Sequence, residues 1–331
     1  MVNANTRSHP DRHLYVKKKG SGIKAKLAAP EAIANLHKKL FRNLQKCEAD
    51  IRYKDDSESL HKYRISLRNI RVLLGDIRGI YPAEIVAAFK DEFDWLGDIT
   101  SEVRDLDVYL LNKIAYEAVL PKGRKQGLQP FFNYVMELRS YRRGELIKAF
   151  NSKRYANLIN NWRSTIKSLS DVDATLANSK FMPIKEVASV TILRRLRNVR
   201  RRAKSLENNM NIDQLHGLRI AGKKLRYLME MFESLYVSRG AMPLVKRLRR
   251  FQDQVGDYLD LQVEIEFLQN FLNDHMTQYD AAGSSGVAME ILGNHLRKQQ
   301  RKRQEKLMSV INWFASRKTK TKFRKLFKNT K

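Results

Sequence analysis

Two short runs of side chains carry the chemistry this chain can offer. His61, Arg64, Arg68 and Arg71 stand at i, i+3, i+7 and i+10, and His216, Arg219, Lys223 and Arg226 repeat the same spacing. At about 100° per residue the first four fall within roughly an 80° arc of a helix, with Leu60, Tyr63, Leu67, Ile70, Leu74 and Ile77 opposite. The second run is backed in the same way by Leu215, Leu218, Leu225, Met229 and Phe232. Four cations so spaced advance about 15 Å along a helix axis, a geometry suited to a linear polyanion. Guanidinium groups grip phosphate oxygens through paired N–H donors. Lysine acts as a mobile point charge, and histidine near neutral pH donates from one ring nitrogen or two.

The two runs belong to a longer internal repeat. Leu60-His61-Lys62-Tyr63-Arg64-Ile65 returns as Leu215-His216-Gly217-Leu218-Arg219-Ile220, an offset of 216 − 61 = 155. The same offset joins Arg71 to Arg226, Tyr81 to Tyr236, Asp98 to Asp253 and Asp105 to Asp260. A constant register over so long a stretch implies two equivalent lobes related by a pseudo-two-fold axis. The repeated acids are read as groups that orient the arginines or cap helices near 99–103 and 254–258. Asp105 with Asp107 is a weaker metal candidate, because Gln262 stands where a second copy of Asp107 would be.

The elements that must position these side chains are helices. Only 15 glycines and 7 prolines interrupt long segments with apolar residues at three- and four-residue spacing, and no alternating strand pattern of useful length occurs. Helices are expected near 30–50, 58–80, 83–97, 102–120, 125–150, 152–168, 184–208, 213–236, 242–257, 259–275 and 286–315. The fold class is therefore all-α, with two pseudo-symmetric helical bundles, a first lobe over about 29–170 and a second over about 183–315. Residues 1–28 read as a flexible basic N-terminal tail, 170–182 as the joint between halves, 278–286 as a loop, and 316–331 as a basic C-terminal tail.

Composition sets the partner class. Lys and Arg number 64 against 35 Asp and Glu, a net +29 that repels itself unless an anion offsets it. The single cysteine, Cys47, excludes an intrachain disulfide and a multi-thiolate zinc site. No apolar leader or membrane-length apolar run occurs, so a cytoplasmic location and no membrane partner are expected. No cofactor or resident metal is called for. Gly20-Ser21-Gly22-Ile23-Lys24 lacks the strand and the Gly-Lys-Ser/Thr of a phosphate loop, and His9 and His13 flank Pro10 in a polar tail. His275 and His295 read as surface or packing residues. Seven cations between Arg194 and Lys204 support the rival reading, sequence-independent nucleic-acid binding, although no helix-turn-helix, zinc-finger or RNA-recognition pattern is present. An enzyme acting on the polyanion would need a nucleophile, base or metal cluster that the sequence does not supply.

The motifs His61-x-x-Arg64-x-x-x-Arg68-x-x-Arg71 and His216-x-x-Arg219-x-x-x-Lys223-x-x-Arg226-Tyr227 resemble those of the CHAD domains, the conserved histidine α-helical domains. Val103-Arg104-Asp105-Leu106-Asp107-Val108 and Phe251-Gln252-Asp253-Gln254-Val255-Gly256-Asp257 extend the likeness, which spans roughly 30–315 and sets the domain at 29–315. The resemblance implies helical bundles meeting around a basic groove or pore that binds inorganic polyphosphate without catalysis, and association with polyphosphate granules. It assigns ligand contact to the two histidines and six Arg and Lys of the stripes, with Lys62 and Lys224 flanking. Asn69 stands where relatives often carry arginine, and Gly217 and Gly222 are expected to loosen the second helix. The Glu-x-Glu-x-Lys strand of the triphosphate-tunnel domains often fused to such proteins is absent, since Glu264-Ile265-Glu266-Phe267-Leu268 lacks the lysine. Oligomeric state has no sequence signal.

Overall fold

The computed structural model describes residues 22–170, 182–206, 211–275 and 283–328. Of the expected tail at 1–28, residues 1–21 with His9 and His13 lie outside them, as do most of the expected joint and loop; residues 22–28 are not a free tail, since Ile23, Ala25 and Leu27 pack against the larger core and Ala28 is buried. Among the described residues every regular element is helical. The helices are α1 (Ala29–Lys54), α2 (Ser57–Asp76), α3 (Ala83–Leu111), α4 (Lys113–Glu117), α5 (Gln129–Phe150), α6 (Lys153–Ser170), α7 (Ile184–Ser205), α8 (Ile212–Met231), α9 (Met242–His275), α10 (Ser284–Ala315) and α11 (Arg317–Phe327). Short 3-10 helices cover Lys122–Leu128 and Glu233–Arg239.

Local chemistry starts α2 and α8 at matching places. The Asp56 carboxylate accepts from the N–H groups of Glu58 and Ser59 at 2.9 and 3.2 Å. Asn211, 211 − 56 = 155 positions later, accepts through its Oδ1 from Asp213 and Gln214 at 2.8 and 3.3 Å. Each satisfies donors that the first helical turn leaves open. Both helices then run 20 residues. The starts of α1 and α7 are pinned together: the Ala29 N–H donates to Met182 O at 3.3 Å and the Ile184 N–H to Leu27 O at 2.9 Å, an antiparallel bridge of Ala28 with Pro183.

Three expectations about elements are corrected. Residues 83–97 and 102–120 were expected as two helices, but α3 runs unbroken through Gly97 and Asp98 to Leu111. Likewise 242–257 and 259–275 form the single 34-residue α9 through Gly256. Asp98, Asp105, Asp253 and Asp260 therefore cap no helix, and packing of α3 on α2 and of α9 on α8 outweighs the helix-weakening effect of one glycine. The C-terminal segment is a docked helix rather than a tail from 316 on. Thr319, Phe323 and Phe327, at i, i+4 and i+8, are buried, and the Phe327 ring meets Tyr236 edge-on at 4.7 Å.

The apolar clusters run across both halves of the chain. The larger apolar cluster joins α1, α2 and α6 to α7, α8 and the ends of α10 and α11. A second joins Tyr109, Phe131 and Phe132 of the first half to Leu261, Leu268 and Met289 of the second. Gly127 belongs to this contact: a β-carbon there would lie 2.7 Å from the Ala288 methyl, so the 3-10 helix can approach α10 only without a side chain.

His37 sits in the larger core, fully enclosed, its Nδ1 2.7 Å from the Tyr81 hydroxyl and its ring edge-on to Trp162 at 5.0 Å. Burial pushes its pKa down to about 3, so it is neutral at pH 7. Below its unfolded value near 6.5 the unfolded chain binds a proton that the folded one refuses, and stability falls by up to about 1.4 kcal/mol per pH unit from this residue. Between pH 6.5 and 4, urea unfolding of a His37→Gln variant should show a stability slope shallower by about one proton than the unsubstituted chain. Parallel slopes would mean that His37 is protonated in the fold.

Candidate functional site

The two cation-bearing helices touch each other, and α3 and α9 pack against them from either side. At the contact the Arg68 guanidinium lies 4.3 Å over the ring of Tyr227, which is buried and also takes Arg226 at 4.9 Å. Arg64 reaches α3, donating to Gly97 O at 3.0 Å, Thr100 Oγ1 at 3.1 Å and Ser101 Oγ at 3.0 Å. Desolvation lowers its pKa to about 10, helped by the charges of Arg68, Arg104 and Arg71 and opposed by Asp105, and leaves it cationic at neutral pH. Its counterpart Arg219 reaches α9 instead, at Asp260 Oδ1 2.8 Å away.

Asp105 links the two halves electrostatically. Although the residue is exposed, its carboxyl lies among protein groups, and that desolvation raises its pKa. Arg64 and Lys223 pull the value down, while Asp260 pushes it up. Arg64, Arg68, Arg219 and Lys223 thus come together with Asp105 and Asp260. Farther along the seam, burial lowers the pKa of Lys224, and Arg195 and Arg71 add to the effect. Arg71 ion-pairs with Asp94 of α3.

Three expected contacts are placed differently from a plain exposed stripe. His61 is buried, 5% exposed, whereas His216 is open to solvent. Lys62 pairs with Glu58 at 3.4 Å and its charge acts on Cys47 of α1, away from α8. Arg226 is 6% exposed, with its guanidinium 3.9 Å from Glu230, a carboxylate that also receives Arg249 at 2.8 Å. At the offset of 155 that joins Arg71 to Arg226, the neighbouring residues differ. Position 249 is arginine where position 94 is the acid that pairs Arg71, and position 230 is glutamate where position 75 is glycine, so Arg226 turns to Glu230 on its own helix. A helical wheel carries no record of what covers each face.

Gly222 acts as a close-approach residue rather than a loosening one, since a β-carbon there would lie 2.7 Å from the Phe251 ring while α8 continues unbroken. Asp105 and Asp107 face different partners. Asp107 is buried and receives Arg139 Nε at 2.6 Å, with Arg104 3.9 Å away. Arg139 also grips Asp55 with two N–H groups at 2.8 and 3.0 Å, and Arg143 donates to the same carboxylate at 2.6 Å. This network clamps the α1–α2 turn to α3 and α5, and its long sequence separations hid it from pattern reading. Among the described residues no group of three or more His, Cys, Asp or Glu could hold a metal ion. Of the seven cations between Arg194 and Lys204, Arg194 and Arg195 bind Asp76, and Arg200 donates to Ala315 O at 2.8 Å. Arg197, Arg201, Arg202 and Lys204 are exposed. His275 packs on Tyr134 at 4.6 Å, and His295 contacts Gln299. No helix of the described residues is long and apolar enough to cross a membrane.

This arrangement can hold oxyanions by charge and N–H donation, with acids keeping the cations spaced. The fold is shared with solved structures. The crystal structure of the CHAD domain from the plant Ricinus communis matches with a TM-score of 0.70 at 23% identity, covering 91% of this chain and 97% of that one. PptA from Streptomyces chartreusis matches with a TM-score of 0.61 at 11% identity, covering 86% and 98%. No curated protein matches the chain. The family model of the CHAD domain matches residues 35–269, which takes in α2, α3, α8 and most of α9, and the chain therefore belongs to the CHAD domain family.

Proposed function

We propose that the chain holds inorganic polyphosphate, without hydrolysing it, in a basic groove between two pseudo-symmetric lobes, with α2 and α8 as its walls. The observation that carries this reading is the stacking of Arg68 of α2 on Tyr227 of α8, which brings the two cation runs to one seam. Family membership supports the choice of ligand. The contacts are Arg64, Arg68, Arg219 and Lys223 at the centre, Arg71 and Lys224 beyond them, and His216 at the solvent end. His61 and Arg226 act from beneath as positioning residues, and Lys62 contributes only to the general field. Residues 29–315 act as one unit in this reading, in the cytoplasm and at polyphosphate granules.

Long-chain polyphosphate should bind at least about a hundredfold more tightly than orthophosphate, because a long chain engages many cations at once while a short anion satisfies few. Calorimetric titration checks this, and equal affinities would end the extended-groove reading. Incubation with magnesium or manganese should release no phosphate. Release that copurifies with the chain and disappears in His61→Ala would make it an enzyme. The exposed cations of α7 favour one second reading, non-specific nucleic-acid binding, and competition of polyphosphate against duplex DNA and RNA at fixed salt separates the two.

A further inference from the structure

A second basic hollow lies away from the seam, where the start of α9, the end of α10 and α11 converge. It is an open hollow of about 920 Å³ lined by Lys246, Arg247 and Arg250 of α9, Lys322 and Lys325 of α11, and the indole of Trp313. The remaining lining residues are glycine, proline and leucine. Arg247 and Asp260 are 13 residues apart on the continuous α9, which separates this hollow from the seam by about 20 Å.

The charge is uncompensated: among the described residues none of the five cations has an ion-pair partner. Like charges gathered around one hollow repel one another, and an anion concentrated there relieves the repulsion. Polyphosphate alone makes no use of an apolar floor. The Arg247 guanidinium lies over the Trp313 ring, 4.6 Å from its centre, and a further planar ring can stack on the same pair. The volume falls in the range of small-ligand pockets. A single nucleic-acid strand spaces its charges one to a nucleotide, whereas a nucleoside triphosphate concentrates several beside one base.

From this combination we infer that the hollow binds a nucleoside triphosphate, base against the Arg247–Trp313 stack and phosphates among Lys246, Arg250, Lys322 and Lys325. No Asn, Gln, Ser or Thr side chain lines the hollow, so the base is held by stacking, and adenine and guanine nucleotides bind with similar affinity. The site stands independently of the polyphosphate reading.

Equilibrium dialysis of labelled ATP against the full chain tests it. One saturable class of ATP should appear, displaced by GTP at similar concentrations and by adenosine or inorganic tripolyphosphate only at about tenfold higher ones. Trp313→Leu should weaken ATP by about tenfold, as should Arg247→Glu with Lys325→Glu, two exposed positions whose substitution leaves the core untouched. Neither variant should change polyphosphate affinity by more than about threefold, and Arg68→Glu with Lys223→Glu should leave ATP affinity within the same range. Tripolyphosphate displacing ATP as well as ATP displaces itself would reduce the site to charge alone and overturn the proposal. So would an oligothymidylate that binds as tightly as ATP, loss of ATP in the seam variant but not in the hollow variants, or no ATP bound at millimolar concentration.

Discussion

Replacing Arg68 and Lys223 together by glutamate should weaken polyphosphate binding by about a hundredfold or more, whereas Lys318→Glu with Lys320→Glu should weaken it by less than about threefold. The first pair takes one cation from each helix at the seam, removes two contacts and places two repulsive charges in the path of the chain. The second makes the same change in net charge on the exposed face of α11. Arg64 is unsuited to this test because its guanidinium holds α3 through Gly97, Thr100 and Ser101, so a glutamate there would disturb helix packing as well as binding. Arg68 has an aromatic neighbour rather than a buried acid, and its loss should cost the fold about 1 kcal/mol or less. Polyphosphate affinity of both pairs, with helicity checked by circular dichroism, decides the matter. Equal losses in two folded variants would make binding a whole-surface effect of the +29 charge and remove the seam as a site.

The all-α class and the starts of α2 and α8 were legible because helical periodicity and capping chemistry are local. Asp56 and Asn211 could be recognised as candidate caps by residue type alone. The unbroken α3 and α9 were not legible, because Gly97 and Gly256 look like stops until the helices packed against them are known. The docking of α11 could have been read from Thr319, Phe323 and Phe327, but its dense lysines and arginines resemble a solvated tail. At the candidate site, residue types and register placed the cations on α2 and α8, while exposure depended on partners far away in sequence. Asp94 against Arg249 and Gly75 against Glu230 are the clearest case: these two differences at the offset of 155 give Arg71 an acid across the helix pair and Arg226 an acid on its own helix. The Asp55–Arg139–Asp107 clamp joins residues so far apart that only the fold reveals it.

Salt should weaken polyphosphate binding by about a hundredfold between 50 and 200 mM, and the slope should identify which cations take part. Each cation that neutralises a phosphate releases condensed counterion, contributing about −0.7 to the slope of log affinity against log salt for a single-stranded polyanion. Six contacts, Arg64, Arg68, Arg71, Arg219, Lys223 and Lys224, would give about −4 if every one contributed fully. Arg219 and Arg71 already hold Asp260 and Asp94, so the incoming phosphate exchanges one carboxylate for another negative group at those positions. Their share should fall, leaving a slope nearer −3, which corresponds to roughly fiftyfold to a hundredfold over that salt range. Asp260→Asn and Asp94→Asn should each tighten binding at low salt and steepen the slope by about 0.7, because the freed arginine then meets phosphate as its first anion. Affinity measured at four or more salt concentrations for the unsubstituted chain and both variants gives the slopes directly. A slope near zero would show that charge does not drive binding, and slopes unmoved by the asparagine variants would place Arg219 and Arg71 outside the ligand's path.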